Sequence, residues 1–124
     1  MAISADNKKS TKKCDFMEKV YKYLNGDQKV EIADAFLTKN MIDVFKDVEL
    51  RQSIDAFFAN NLNISETSRN AFMHRNTLLY RIDKIQKLTG LNIRNFNDAV
   101  MLLHLEQIYE KTKNIRNVNS QSYT

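Results

Sequence analysis

The 124-residue sequence predicts an all-α fold, a small helical bundle, and three observations carry that expectation. Pro is absent and Gly occurs twice, so the chain lacks the turn punctuation that a many-stranded β protein needs. Apolar residues recur three and four positions apart through most of the chain, the period of an amphipathic helix. Between Asn63 and Gly90, two such patterns flank a tight turn without periodicity, so the bundle is expected to contain a helix-turn-helix. This length holds one small domain, and 43% hydrophobic residues can fill a modest core.

Residues 1–13 (MAISADNKKSTKK) are polar, basic and aperiodic, and read as a disordered tail. Residues 14–48 read as a short helical N-terminal region. Asp15 is placed to N-cap a helix carrying Phe16, Met17, Val20, Tyr21 and Leu24, with Asn25-Gly26 as its stop. A second helix is expected from about Gln28 to Thr38, presenting Val30, Ala33, Phe36 and Leu37. Met41, Ile42, Val44 and Phe45 form a third apolar cluster before an acidic link, Asp47-Val48-Glu49. Nothing in this region carries chemistry, and it reads as a scaffold or a dimer contact.

Residues 49–112 make the main unit. Leu50, Ile54, Phe57 and Phe58 share one helix face that ends near Asn60-Asn61. Asn63, with Glu66 three residues on, is an Asn-x-x-Glu form of the capping box. It opens a short helix from Ile64 to about Phe72, with Ile64, Thr67, Ser68 and Ala71 on the inner side. After the turn Phe72-Met73-His74, a longer helix starts near Arg75. Its inner stripe is Leu78, Ile82, Ile85 and Leu88 or Thr89, and its outer face is Thr77, Tyr80, Arg81, Lys84 and Lys87. Gly90 closes it as a C-cap glycine. Leu91, Ile93 and Phe96 are expected to return the chain to the core, and Asn95 with Asp98 resembles another capping pair. A last helix, from about Asp98 to Tyr109, is apolar around much of its circumference, which suits burial or a subunit interface. Residues 113–124 read as a flexible tail.

The net charge of +4 is unevenly spread. Residues 1–13 carry +3 and residues 14–68 carry −4, whereas residues 95–124 balance. Residues 69–94 hold Arg69, Arg75, Arg81, Lys84, Lys87 and Arg94 against Asp83 alone, or +5. Positive charge thus concentrates in the region of the second motif helix, as phosphate contacts require; a solvated basic face is the plain alternative. No stretch approaches the roughly 20 apolar residues of a membrane span, and no apolar leader opens the sequence. Cys14 is the single cysteine, so a cytoplasmic, nucleoid-associated protein without disulfides is the simplest reading. His74, His104 and Cys14 lack metal-ligand spacing, so neither metal nor cofactor is expected, and His104 reads as a core or interface histidine. With no nucleophile–base pair, carboxylate dyad or phosphate-binding Gly loop, the sequence does not read as an enzyme.

The run HRNTLLYRIDKIQKLTGL, preceded by FFANNLNISETSRNAF, resembles the C-terminal helix-turn-helix of the purine-catabolism and sugar-diacid regulators (the PucR/CdaR type). The distinctive part is H-R-N-T-L-x-Y-R-[IL]-x-[KR]-I, at His74 to Ile85, and the resemblance covers about Leu50 to Tyr109. A more distant likeness reaches the factor-for-inversion-stimulation type of helix-turn-helix, which binds DNA as a homodimer. The resemblance implies a DNA-binding transcriptional regulator, its partners double-stranded DNA and a second copy of itself. Family members place this module behind a long sensory region. Forty-eight residues are too few for one, so a stand-alone or truncated regulator without its own small-molecule effector site is expected. Ala71 stands where a larger aliphatic residue is common, which implies looser packing between the motif helices.

A recognition helix, here about residues 75–89, places its first two turns in the major groove. Arg75 is the first candidate for a base contact, because a guanidinium can bond O6 and N7 of guanine together. Asn76 either offers adenine the matching amide pair or caps the helix locally. Thr77 suits a phosphate or a thymine methyl, and Tyr80 follows one turn later. Arg81 and Lys84 are expected at phosphates. Ser65 can present a hydroxyl to a phosphate, whereas Thr67 suits packing better. His74 either touches DNA or fixes the turn. Two other readings compete: an architectural DNA binder of low specificity, and a helix-turn-helix scaffold used for protein–protein interaction.

Overall fold

The computed structural model describes the backbone of residues 15–122 and the side chains of residues 18–115. The expected basic tail at 1–13, Cys14 and the side chains of Phe16 and Met17 lie outside the described residues. The described chain runs through helices α1 (Asp15–Tyr21), α2 (Gly26–Phe36), α3 (Lys39–Lys46), α4 (Val48–Ala59), α5 (Ile64–Asn70), α6 (Arg75–Thr89) and α7 (Phe96–Ser122). The all-α expectation holds.

Short polar side chains start most of these helices by accepting backbone N–H groups that the first turn leaves without a partner. Asn25 opens α2 with a full capping box: Gln28 N–H donates to Asn25 Oδ1 at 2.8 Å, and Asn25 N–H donates to Gln28 Oε1 at 3.0 Å. This corrects the reading of Asn25-Gly26 as a stop for α1, because Gly26 is the first residue of α2. Thr38 Oγ1 accepts from Met41 N–H at 3.2 Å to start α3, and Asp47 Oδ1 accepts from Leu50 N–H at 3.0 Å to start α4. The acidic link is therefore a hinge of a single residue, since Asp47 also ends α3.

The core gathers one stripe from nearly every helix. Val44 and Phe45 of α3, Leu50, Ile54 and Phe57 of α4, and Leu78, Ile82 and Ile85 of α6 meet Ile93, Ala99, Leu102, Leu105, Ile108 and Tyr109. Each large aliphatic or aromatic side chain buried in this way contributes roughly 1.5–3 kcal/mol. Phe45 and Tyr109 add a tilted ring pair with centroids 5.5 Å apart. Helix α7 is the spine: α1, α2 and α3 pack along it, while α6 packs on α3, α4 and α5.

Two expectations about α7 need correction. It continues to Ser122, past the end expected near Tyr109 and across most of residues 113–124, and its buried face runs on through Tyr109 to Thr112. Lys111 there pairs with Glu18 of α1 at 3.4 Å. At its other end, Phe96 is 71% exposed instead of returning to the core, a task left to Ile93 and the half-buried Leu91. Asn95 accepts from Asn97 N–H at 3.0 Å, and Asp98 reaches back to Asn92 N–H at 3.0 Å, so the two cap different segments.

Candidate nucleic-acid interface

Helices α5 and α6 form the helix-turn-helix. Leu62 N–H closes on Phe57 carbonyl at 2.9 Å, with Asn61 and Leu62 both left-handed at φ 56° and 61°, and this brings the chain around to Asn63. Asn63 Oδ1 accepts from Glu66 N–H at 2.8 Å, the N-cap its position suggested, but Asn63 N–H donates to Asn60 carbonyl at 3.0 Å, so only the N-cap half of the expected capping box forms. Thr67 is fully buried and its hydroxyl donates to Asn63 carbonyl at 2.6 Å, so it packs, as expected. Ile64 is also buried, whereas Ala71 is half-buried and serves as the C-cap of α5.

The turn between the helices is held by Ser68. Its carbonyl accepts from Met73 N–H at 2.9 Å, and its hydroxyl donates to Met73 carbonyl. Between them Phe72 takes a left-handed conformation (φ 52°) with its ring 96% exposed. For an L-residue that conformation costs about 1–2 kcal/mol, so the turn is bought by the closure that Ser68 makes and by the burial on either side.

His74 caps α6. Its Nδ1 accepts from Asn76 N–H at 3.1 Å, which places the ring proton on Nε2 and leaves that N–H as the donor. Of the two roles left open for His74, fixing the turn is present. Asn76 does not cap the helix, since His74 does, and its side chain is exposed at the second position of α6. Arg75, exposed at the first position, donates from Nη1 to Ser65 Oγ at 3.3 Å. The first turns of α5 and α6 are thereby brought together, with Ser65 and Arg75 side by side.

Further along α6, Leu78, Ile82 and Ile85 are buried, and Gly90 ends the helix at φ 80°. Thr77 is half-buried, Tyr80 is 65% exposed and Lys84 is exposed. Lys87 is exposed as well and pairs with Asp83 at 3.0 Å. Arg81 departs from the outer-face expectation: only 19% of its side chain is exposed. Its Nη1 donates to Ser53 Oγ at 3.1 Å, its Nη2 donates to Glu49 Oε2 at 3.2 Å, and Met73 Sδ lies 3.9 Å from Nη1. These partners are distant in sequence, so the charge of Arg81 looked free. A signal did exist: Ser53 is a small polar residue on the Leu50–Ile54–Phe57 stripe, and its buried hydroxyl, while donating to Glu49 carbonyl, still offers an acceptor to a distant donor.

The exposed edge at the start of α6 therefore comprises His74, Arg75 and Asn76, with Ser65 alongside and Tyr80 and Lys84 following. Planar guanidinium, amide and imidazole groups on one edge can donate to base edges or phosphate oxygens. The helix dipole adds partial positive charge at the same end. Among the described residues no helix is long and apolar enough to cross a membrane, and no group of His, Cys, Asp and Glu side chains is arranged to hold a metal.

Comparison with known proteins agrees with this geometry. The chain is 42% identical over 62 residues to the carbohydrate diacid regulator of Escherichia coli (strain K12), an overlap covering 50% of the chain and 16% of that protein. It is 31% identical over 85 residues to the uncharacterized protein YxkF of Bacillus subtilis (strain 168), covering 68% of the chain and 29% of that protein. With the purine catabolism regulatory protein of Bacillus subtilis (strain 168) it shares 30% identity over 50 residues, 40% of the chain and 9% of that protein. The matched part of the chain thus spans less than a third of the length of each of these relatives. No solved structure matches the chain at a significant level. Residues 50–106 match the PucR C-terminal helix-turn-helix domain, and they begin inside α4 and end inside α7, enclosing the whole of α5, the turn and α6. Residues 50–106 are a PucR-type helix-turn-helix domain.

Proposed function

We propose that this chain is a DNA-binding transcriptional regulator that lays α6 in the major groove of double-stranded DNA and acts as a homodimer. The observation that carries the reading is the exposed edge His74–Arg75–Asn76 at the start of α6, flanked by Ser65 of α5. In this reading Arg75 and Asn76 read base edges, His74 Nε2–H and Ser65 meet phosphates, and Thr77 and Tyr80 touch the groove wall. Lys84, exposed further along, neutralises backbone charge. Two relatives, a carbohydrate diacid regulator and a purine catabolism regulatory protein, support regulation as the outcome of binding. Two-fold symmetry would place half-sites about 34 Å apart, one helical turn of DNA.

Selection of bound duplexes from a random DNA pool tests this reading. A palindromic consensus is the expected result, whereas enrichment no better than for random sequence would favour an architectural binder. On the selected site, Arg75→Ala should cost about 1–3 kcal/mol in binding and relax the preference at one base position. Fluorescence anisotropy on matched and mismatched duplexes measures both. An Arg75→Ala protein that binds every duplex as wild type does would remove Arg75 from the interface.

A further inference from the structure

We infer that Arg81 is a positioning residue for the DNA-reading edge, locking the turn and α6 onto α4 without contacting phosphate itself. This rests on the DNA-binding reading above. The guanidinium faces groups from two other parts of the chain, Ser53 and Glu49 of α4 and Met73 of the turn. Ser53 is 1% exposed, and its hydroxyl is anchored by donating to Glu49 carbonyl at 2.9 Å. Met73 is the residue whose main chain Ser68 grips from α5, and His74, the cap of α6, follows it directly. Arg81 therefore sits at the point where α4, the turn and α6 are joined.

The chemistry of the site needs arginine in particular. A planar fork reaches the Ser53 hydroxyl from Nη1 and the Glu49 carboxylate from Nη2, two nitrogens held in fixed geometry where lysine has a single one on a flexible stem. Reaching a phosphate would mean giving up both acceptors and leaving the Ser53 site without its donor. Lys84 is exposed and needs no such release. Charge count alone would rank the two cations equally; their surroundings separate them.

The test is a salt titration of duplex binding by the full chain, read as affinity and as the slope of log K against log salt. Arg81→Gln is expected to weaken binding about tenfold or more while leaving the slope unchanged. Arg81→Lys, which keeps the charge, is expected not to restore affinity. Ser53→Ala changes a buried residue that cannot reach DNA; it should weaken binding several-fold and add little on the Arg81→Gln background. A slope lower by about one in Arg81→Gln, with Arg81→Lys binding as wild type, would overturn the inference. So would wild-type affinity in Ser53→Ala, which decides the matter alone if Arg81→Gln does not fold. Wild-type protein that binds no duplex at low salt overturns the DNA-binding reading as well, whereas rescue by lysine in a protein that binds overturns only the role of Arg81.

Discussion

His74 caps α6 through one ring nitrogen, and the proposed DNA contact would use the other. Nδ1 accepts from Asn76 N–H and so stabilises the start of α6, while Nε2–H remains to donate outward. A cap of this kind is worth about 1 kcal/mol. His74→Ala should therefore lower the urea unfolding free energy by about that amount and also weaken DNA binding. His74→Asp supplies a carboxylate that can cap the same N–H, so it should keep most of the stability. It should nevertheless bind DNA worse than His74→Ala, because it sets a negative charge where phosphate is proposed to lie. Urea titrations beside anisotropy titrations separate the roles. If stability and binding fall together across both variants, the ring acts through the cap alone.

At the level of elements, α6 is bounded by two local devices, the His74 cap and Gly90. Gly90 lies at φ 80°, and a Cβ built there meets nothing within 4 Å. Gly90→Ala thus carries no clash and isolates the backbone cost of a left-handed residue, about 1 kcal/mol, partly offset by the smaller entropy of the unfolded chain. Thermal or urea unfolding would show it, and an unchanged midpoint would mean that the αL cap does not stabilise α6. Gly90 was legible in the sequence, as were Asn63 and the Leu78–Ile82–Ile85 stripe, because caps and helical spacing are encoded within a few residues. The same reasoning misassigned Asn25-Gly26, since asparagine before glycine can end one helix or start the next. Only Gln28, answering Asn25 from the third position, decides for the start. The length of α7 was hidden for a different reason: α1 and α2 pack along it, with Lys111 pairing to Glu18 of α1, and a tertiary contact has no signature in a short window. Arg81 was hidden likewise, its partners Ser53 and Glu49 lying on a different helix.

Across the whole molecule, α4 is tied to the spine helix α7 by Arg51. Its guanidinium pairs with Glu106, bonds Glu110 Oε2 at 2.6 Å and Phe45 carbonyl at 3.3 Å, and lies 5.9 Å over the Phe45 ring. Burial by itself would lower the pKa of Arg51, but the charges of Glu106, Glu110 and Asp55 outweigh it and hold it raised. Glu106 is 1% exposed, so Arg51→Met strips a buried carboxylate of this cation and should cost about 3–5 kcal/mol in urea unfolding. Adding Glu106→Leu should recover a large part of that loss, since an apolar pair needs no compensation for a buried charge; two losses that simply add would show that the pair does not act as a unit.

Acid should reach the same junction through Glu110. Burial would raise its pKa, yet hydrogen bonds from Lys113 and Arg51 bring it below the ordinary value of 4.5. A carboxylate whose pKa is depressed by folding stabilises the fold above its unfolded pKa, and that contribution is lost as pH falls through the folded one. The window therefore opens near pH 4.5 and extends downward. The side chain is 36% exposed, so solvent screens the effect and keeps it modest. Glu110→Gln should be less stable than wild type at neutral pH and lose less on acidification, so the two curves of unfolding free energy against pH converge below that window. Curves that stay parallel down to acid would mean that the Arg51–Glu110 contact does not couple protonation to the joint between α4 and α7.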